Sequence, residues 1–160
     1  MSAFGSDDPR EMPPHFFRGA LRLDYPTAVR AETTRQNCSI CPRYWYVDAH
    51  FRCERCGAEF AFSAAEQRVW YEDYGFWVDA FPKHCPACRR ALRALRTTRQ
   101  EYDRNVAHAM RQGDIDSKRR LAAVIDQLYE LGGELPPRIN ENRRQLASQI
   151  SRIESRGRLP

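Results

Sequence analysis

Apolar positions change their period along this chain, and the changes mark its elements. Tyr44, Trp45, Tyr46 and Val47 lead into His50, Phe51 and Arg52, an aromatic and β-branched run that predicts a strand reaching Cys53. Glu59, Phe60, Ala61 and Phe62 alternate polar with apolar, the period of a half-buried strand, and predict its hairpin partner. Ser63 followed by Glu66 is a capping box. A short helix therefore starts there and carries Gln67, Trp70 and Tyr71, with Gly75 as its stop. After Cys85 the period becomes 3.6: Leu92, Leu95, Tyr102, Val106 and Met110 share one helical face. Gly113 interrupts, and Asp114 or Asp116 caps a second helix marked by Leu121, Val124, Leu128 and Leu131. Gly132 and Gly133 end that helix. Pro136 and Pro137 begin a third, striped by Ile139, Leu146, Ile150 and Ile153. The last two helices, joined by a short Gly/Pro loop, are expected to form an antiparallel hairpin.

The N-terminal part has no such regularity. Met1 to Pro14, with Gly5, Asp7, Asp8, Pro9, Pro13 and Pro14, reads as disordered or loosely attached. From His15 to Arg35, Phe16, Phe17, Leu21, Leu23 and Tyr25 are broken by Pro26. The expectation there is an extended arm packed across the following domain, with a short helical turn after Pro26. The organisation predicted is an arm over 1–36, a compact domain over 37–90 and a helical extension over 91–160. Phe60, Phe62, Trp70, Phe76, Trp77 and Phe81 read as core. There is no internal repeat.

Composition narrows the class. The chain has 160 residues, 42% of them apolar, and a mean hydropathy of −0.72. No apolar run approaches the roughly 20 residues of a membrane span, so a soluble protein with no membrane partner is expected. Met1 to Pro14 lacks the basic start and apolar stretch of a signal peptide, which points to the cytoplasm. The charge is uneven. From Arg89 to Pro160 there are 16 basic and 9 acidic residues, against 10 and 12 in the rest. The basic residues are almost all arginine, which favours bidentate contact with phosphate or carboxylate. On the helix after Cys88, Arg89, Arg93, Arg96 and Arg104 fall within one arc of about 80°, away from the apolar stripe. They are the candidate nucleic-acid contacts.

Six cysteines in three Cys-x-x-Cys pairs, Cys38/Cys41, Cys53/Cys56 and Cys85/Cys88, indicate a metal. Zinc takes four thiolates tetrahedrally without redox chemistry, and each pair presents two sulfurs from one tight turn. Spacing alone allows three pairings. Local chemistry favours the last two pairs: Gly57 suits the turn of a zinc knuckle, and Pro86 suits the first turn of the long helix, whose N–H groups stabilise thiolates. A knuckle, a hairpin and a helix start around one ion make a treble clef.

The stretch from Tyr46 to Arg89 resembles the probable zinc-ribbon family of treble-clef type. The residues that carry the likeness are Tyr46-Val47-Asp48, Phe51, Cys53-x-x-Cys56-Gly57, Glu59-Phe60 and Phe62, then Glu66-Gln67, Trp70-Tyr71-Glu72, Phe76, Pro82-Lys83 and Cys85-x-x-Cys88-Arg89. The resemblance implies one Zn2+ on Cys53, Cys56, Cys85 and Cys88. It implies no activity, because the family is defined by its metal site.

The expected fold is therefore small α+β: a treble-clef zinc domain, then a long helix and a helical hairpin. Cys38 and Cys41 leave room for a second metal completed by His50 or His84, for a redox pair, for the metal-linked half of a dimer, or for plain structural thiols. Glu66, Gln67 and Glu72 read as capping and packing residues, since a four-cysteine site offers zinc no open position for water. No catalytic set emerges and no enzyme is expected. The function expected is a zinc-binding adaptor that engages nucleic acid or a ribonucleoprotein through its arginine-rich helices. The alternative is a structural subunit that docks a protein partner, or a second copy, through the C-terminal hairpin.

Overall fold

The computed structural model describes residues 5–38 and 40–157. The chain divides after Cys88 into two compact units. The first is built on a three-stranded antiparallel sheet in the order β1-β2-β3, with β1 at Arg22–Arg30, β2 at Trp45–Arg52 and β3 at Glu59–Phe62. Strands β2 and β3 are the hairpin expected from the alternating pattern. Ala49 faces Phe62 and Phe51 faces Phe60, so these four buried residues share one side of the pleat, while the buried Tyr46 lies on the other.

Strand β1 shifts one expectation. The strand continues through Pro26, and the short helical turn expected after it comes as a 3-10 turn at Thr33–Arg35. Asp24 pairs with Asp48 but Val29 pairs with Tyr46, so β1 carries a bulge around Pro26. An edge strand tolerates proline at such a bulge because its missing N–H need not join the ladder. Thr27 bridges the gap: its hydroxyl accepts from the Asp48 N–H at 2.9 Å and donates to the Asp24 carbonyl at 2.7 Å. The segment before it is not loose. Residues 9–11 and 14–17 form 3-10 turns, and Met12, Phe16 and Phe17 are buried with Tyr46, Val47, Phe62 and Tyr71 in one cluster. Three large apolar side chains in that cluster outweigh the chain-breaking prolines, which here start the turns. Residues 1–4 lie outside the described residues.

The capping box forms as read: the Ser63 hydroxyl accepts from the Glu66 N–H at 3.1 Å and opens α1 at Ala64–Arg68. The helix runs on as a π-turn over Val69–Asp73. Gln67 is fully buried, and its amide donates to the carbonyls of Val47 and Phe62 at 2.6 and 2.8 Å, tying the helix to both strands. Phe76 and Trp77 are not core; they are 44% and 53% exposed. They lie in the loop after Gly75, where Phe76 meets Trp70 edge to face, with centroids 5.2 Å apart, and leaves much of its ring to solvent.

The second unit packs three helices. The helix α2 spans Pro86–Arg111, α3 spans Ile115–Gly132 and α4 spans Pro137–Arg156. Asp114 caps α3 by accepting from the Ser117 N–H at 2.7 Å. Gly133 ends α3 in the left-handed region, at φ 76°, which a side chain would resist. Tyr102 and Ala109 of α2, Leu121, Val124, Ile125 and Leu128 of α3, and Ile139 and Leu146 of α4 form its core. Each fully buried leucine or isoleucine there contributes about 1.5–3 kcal/mol. The long helix thus joins the hairpin as a third wall. Ile153, read as part of the α4 stripe, is 39% exposed.

Candidate metal centre

The end of β2 and the start of α2 bring four cysteines together. Cys53 follows the last residue of β2, and its N–H donates to the Ala58 carbonyl at 2.9 Å. Gly57 then turns the chain back at φ 73° and donates to the Cys53 carbonyl at 2.9 Å. This is the knuckle geometry for which glycine was expected, since a Cβ would strain that conformation. Cys85 immediately precedes Pro86 at the start of α2, and its sulfur accepts from the Cys88 N–H at 3.5 Å, within the range for sulfur. The two cysteine turns are linked directly: the Glu54 N–H donates to the Lys83 carbonyl at 3.0 Å. Below them Phe51 stacks on Phe81 with centroids 5.3 Å apart and planes 8° from parallel.

The four sulfurs lie within 4.8 Å of one another, with Cys56 and Cys85 at 3.8 Å. Four thiolates at about 2.3 Å from a tetrahedral zinc stand about 3.8 Å apart, so the cluster fits that ion with little adjustment. The thiols themselves are poised unequally. Burial opposes the Cys53 thiolate, but hydrogen bonds from the Cys56, Cys85 and Arg55 backbone outweigh it and bring the group down to about 5. Hydrogen bonding to Cys85, then burial, pushes Cys88 up to about 12. Zinc, when bound, supplies a structural crosslink between knuckle and helix.

Residues 47–97 match the family model described as "Probable treble clef domain". This domain is a treble clef. No curated protein and no solved structure matches the chain. The treble clef brings together the last two Cys-x-x-Cys pairs, the pairing favoured from Gly57 and Pro86, and its four sulfurs are placed to bind one metal ion.

The other candidates fall elsewhere. Among the described residues, neither Cys38 nor Cys41 joins a group of three or more side chains close enough to share an ion. Both are half-buried free thiols. Burial, then Asp79 and Cys38, raise the Cys41 thiol above its ordinary value. His50 lies 3.0 Å from Arg22 and 3.3 Å from Glu59 on the sheet. His84 keeps Nδ1 buried without a hydrogen-bond partner among the described residues. Neither histidine completes a second site. Glu72 is buried and accepts from the Glu32 N–H at 2.9 Å and from Arg68 at 3.1 Å, a packing role. Arg89 is half-buried, whereas Arg93, Arg96 and Arg104 are exposed along α2.

Two groups escaped the sequence reading. Arg43 is 2% exposed in the first unit, and nothing in Pro42-Arg43-Tyr44 distinguishes it from a surface arginine. Arg111, Arg152 and Arg156 come together in the second unit. The i, i+4 spacing of the last two was a visible signal, but Arg111 lies 41 positions before Arg152 and only packing joins them.

Proposed function

We propose that this chain is a zinc-stabilised binding module, not an enzyme, that works in the reducing cytoplasm and engages nucleic acid or a ribonucleoprotein through its arginine-rich helices. The observation that carries the reading is the uncommitted charge on α2. Arg93 and Arg96 are exposed, and neither takes part in an ion pair among the described residues; Arg104 donates only to the Gln100 carbonyl of its own helix. Other arginines of the unit are committed: Arg99 pairs with Asp103, Arg119 with Glu154 and Arg143 with Asp126, at 3.1, 2.7 and 2.6 Å. Exposed guanidinium groups left without carboxylates suit phosphates, whose counter-ions they displace.

A binding role also suits the metal chemistry. Four thiolates complete a tetrahedral zinc, leaving no position for a substrate. The six cysteines are all free, as a reducing compartment requires. No described helix is long and apolar enough to cross a membrane.

The test is fluorescence anisotropy of the zinc-loaded protein with duplex and single-stranded oligonucleotides across a salt series. Changing Arg93 and Arg96 together to Gln should weaken binding to all sequences alike and flatten the salt slope by up to about two counter-ions. Arg89 adjoins a metal ligand, so this pair is the cleaner variant. Absence of wild-type binding at about 50 mM salt, or unchanged binding by the double variant, would overturn the reading and leave docking through the α3–α4 hairpin.

A further inference from the structure

A cavity of about 320 Å³ opens in the helical unit where the end of α2, the start of α3 and the end of α4 meet. Its charged lining is Arg111, Lys118, Arg152 and Arg156, and no carboxylate among the described residues lines it. The three arginines are exposed, and none makes an ion pair or hydrogen bond among the described residues. Glu154, the acid nearest them in sequence on α4, is held by Arg119 at 2.7 Å. So among the described residues the cationic cluster has no counter-ion, whereas Arg99, Arg119 and Arg143 of the same unit have theirs.

Two further groups add to the site. Lys118 is 7% exposed, and its Nζ donates to the Ala109 carbonyl at 2.5 Å. That bond uses one of three ammonium protons and leaves two donors. Gln149 also lines the cavity and keeps Oε1 buried without a hydrogen-bond partner. A half-turn of its amide would present N–H donors there instead, and an oxyanion would satisfy them. A buried ammonium and a half-buried amide with spare hydrogen-bonding capacity, lining one cavity with three guanidinium groups, form a built anion site. The rim carries Met110 and Ile153, and Ile153 is the apolar residue that the α4 stripe left unpacked.

We propose that this cavity binds phosphate oxygens bearing together two or more negative charges, on one terminal phosphoryl group or on neighbouring phosphates of a chain. A carboxylate would neutralise one cation, whereas a phosphoryl group offers three oxygens to several forks at once. The half-buried Met110 and the exposed Ile153 suit the less polar body to which the phosphate is attached. The proposal rests on the reading of this unit as phosphate-directed, but on residues that the α2 face does not share.

The experiment is isothermal titration calorimetry of the zinc-loaded full chain at about 50 mM salt, with inorganic pyrophosphate in one arm and a six-nucleotide single-stranded DNA in the other. At least one probe should bind. Arg111→Gln with Arg152→Gln should then lose tenfold or more in affinity for it, while Arg93→Gln with Arg96→Gln leaves pyrophosphate binding unchanged. Arg152→Lys keeps the charge but loses the fork, so it should show a smaller loss. The substituted arginines are exposed, and an unchanged circular dichroism spectrum confirms the fold. Pyrophosphate binding assigns the site to a free phosphate ligand; oligonucleotide binding alone assigns it to backbone phosphates. The proposal is overturned if neither probe binds, or if the Arg111/Arg152 variant binds both as the wild type does. If that variant is silent while the Arg93/Arg96 variant loses the oligonucleotide, the α2 reading survives and the cavity does not.

Discussion

Arg43 donates to the Phe16 carbonyl at 2.7 Å while its guanidinium lies 4.9 Å from the centroid of the same residue's ring. This double contact fastens the N-terminal segment to the sheet. The same side chain donates to the Val78 carbonyl at 2.9 Å and to the Gln67 amide oxygen at 3.3 Å, and faces the Phe17 and Tyr71 rings at 5.3 and 4.9 Å. Its positive charge is met by carbonyl dipoles and ring faces, with no carboxylate among its hydrogen-bond partners. Burial accordingly lowers the guanidinium from its ordinary value, and the contacts it makes must offset that desolvation.

Arg43→Ala should therefore be among the most damaging substitutions outside the metal centre. It opens a cavity and leaves three buried acceptors unsatisfied, at a combined cost of about 3–5 kcal/mol. Arg43→Lys should rescue only part of this, because one ammonium cannot span three acceptors. Urea unfolding followed by tryptophan fluorescence measures both; a loss below about 1 kcal/mol for Arg43→Ala would contradict the account.

For the metal centre the expected stoichiometry is one zinc per chain. Cys53→Ser or Cys88→Ser should lose the metal and unfold the first unit, since binding energy at such a site is largely folding energy. Elemental analysis of natively purified protein checks the first statement, and solubility with near-ultraviolet circular dichroism checks the second. A fully folded Cys88→Ser protein would refute the crosslinking role.

Cys38→Ser combined with Cys41→Ser should leave the zinc content at one. A native value of two, falling to one in this variant, would reveal a second site. The raised Cys41 thiol carries a sign that can be checked. Its folded form holds the proton longer than the unfolded chain does, so its contribution to stability is fully present below the ordinary thiol value and is lost as pH rises from there through the raised value. Alkylation of Cys41 should accordingly be slow near neutrality and quicken as pH rises.

Asp114 supplies the acid-side test. The backbone hydrogen bond from Ser117, then its side-chain hydrogen bond, lower the carboxyl below its ordinary value. The unfolded chain takes up the proton first, so the capping contribution is present above the ordinary carboxylate range and is lost as pH falls through the lowered value. Asp114→Ala should destabilise α3 at neutral pH, and Asp114→Asn should keep the cap while removing this part of the acid dependence. Thermal melts between pH 2 and 7 distinguish the three proteins; identical acid profiles for wild type and Asp114→Asn would rule the cap out as the titrating element.

What could be read along the chain is what a few neighbouring residues decide. The Ser63 cap, the Asp114 cap, the left-handed Gly133 and the alternation of Glu59 to Phe62 each act within one turn or one pleat, and each stands where its local pattern put it. The pairing of Cys53/Cys56 with Cys85/Cys88 was legible for the same reason, since Gly57 and Pro86 mark the two turns that aim the sulfurs. Other features depend on partners far along the chain. Strand β1 exists because β2 offers it an edge, and its bulge is closed by a threonine hydroxyl that no periodicity announces. Arg43 is buried because Phe16, Gln67 and Val78 converge on it from three segments, while Trp77 is exposed because no surface was left to cover it. Arg111 meets Arg152 only once three helices have packed. Burial and charge pairing are properties of the assembled surface, and a residue's type sets what it can contribute there but not which neighbours arrive.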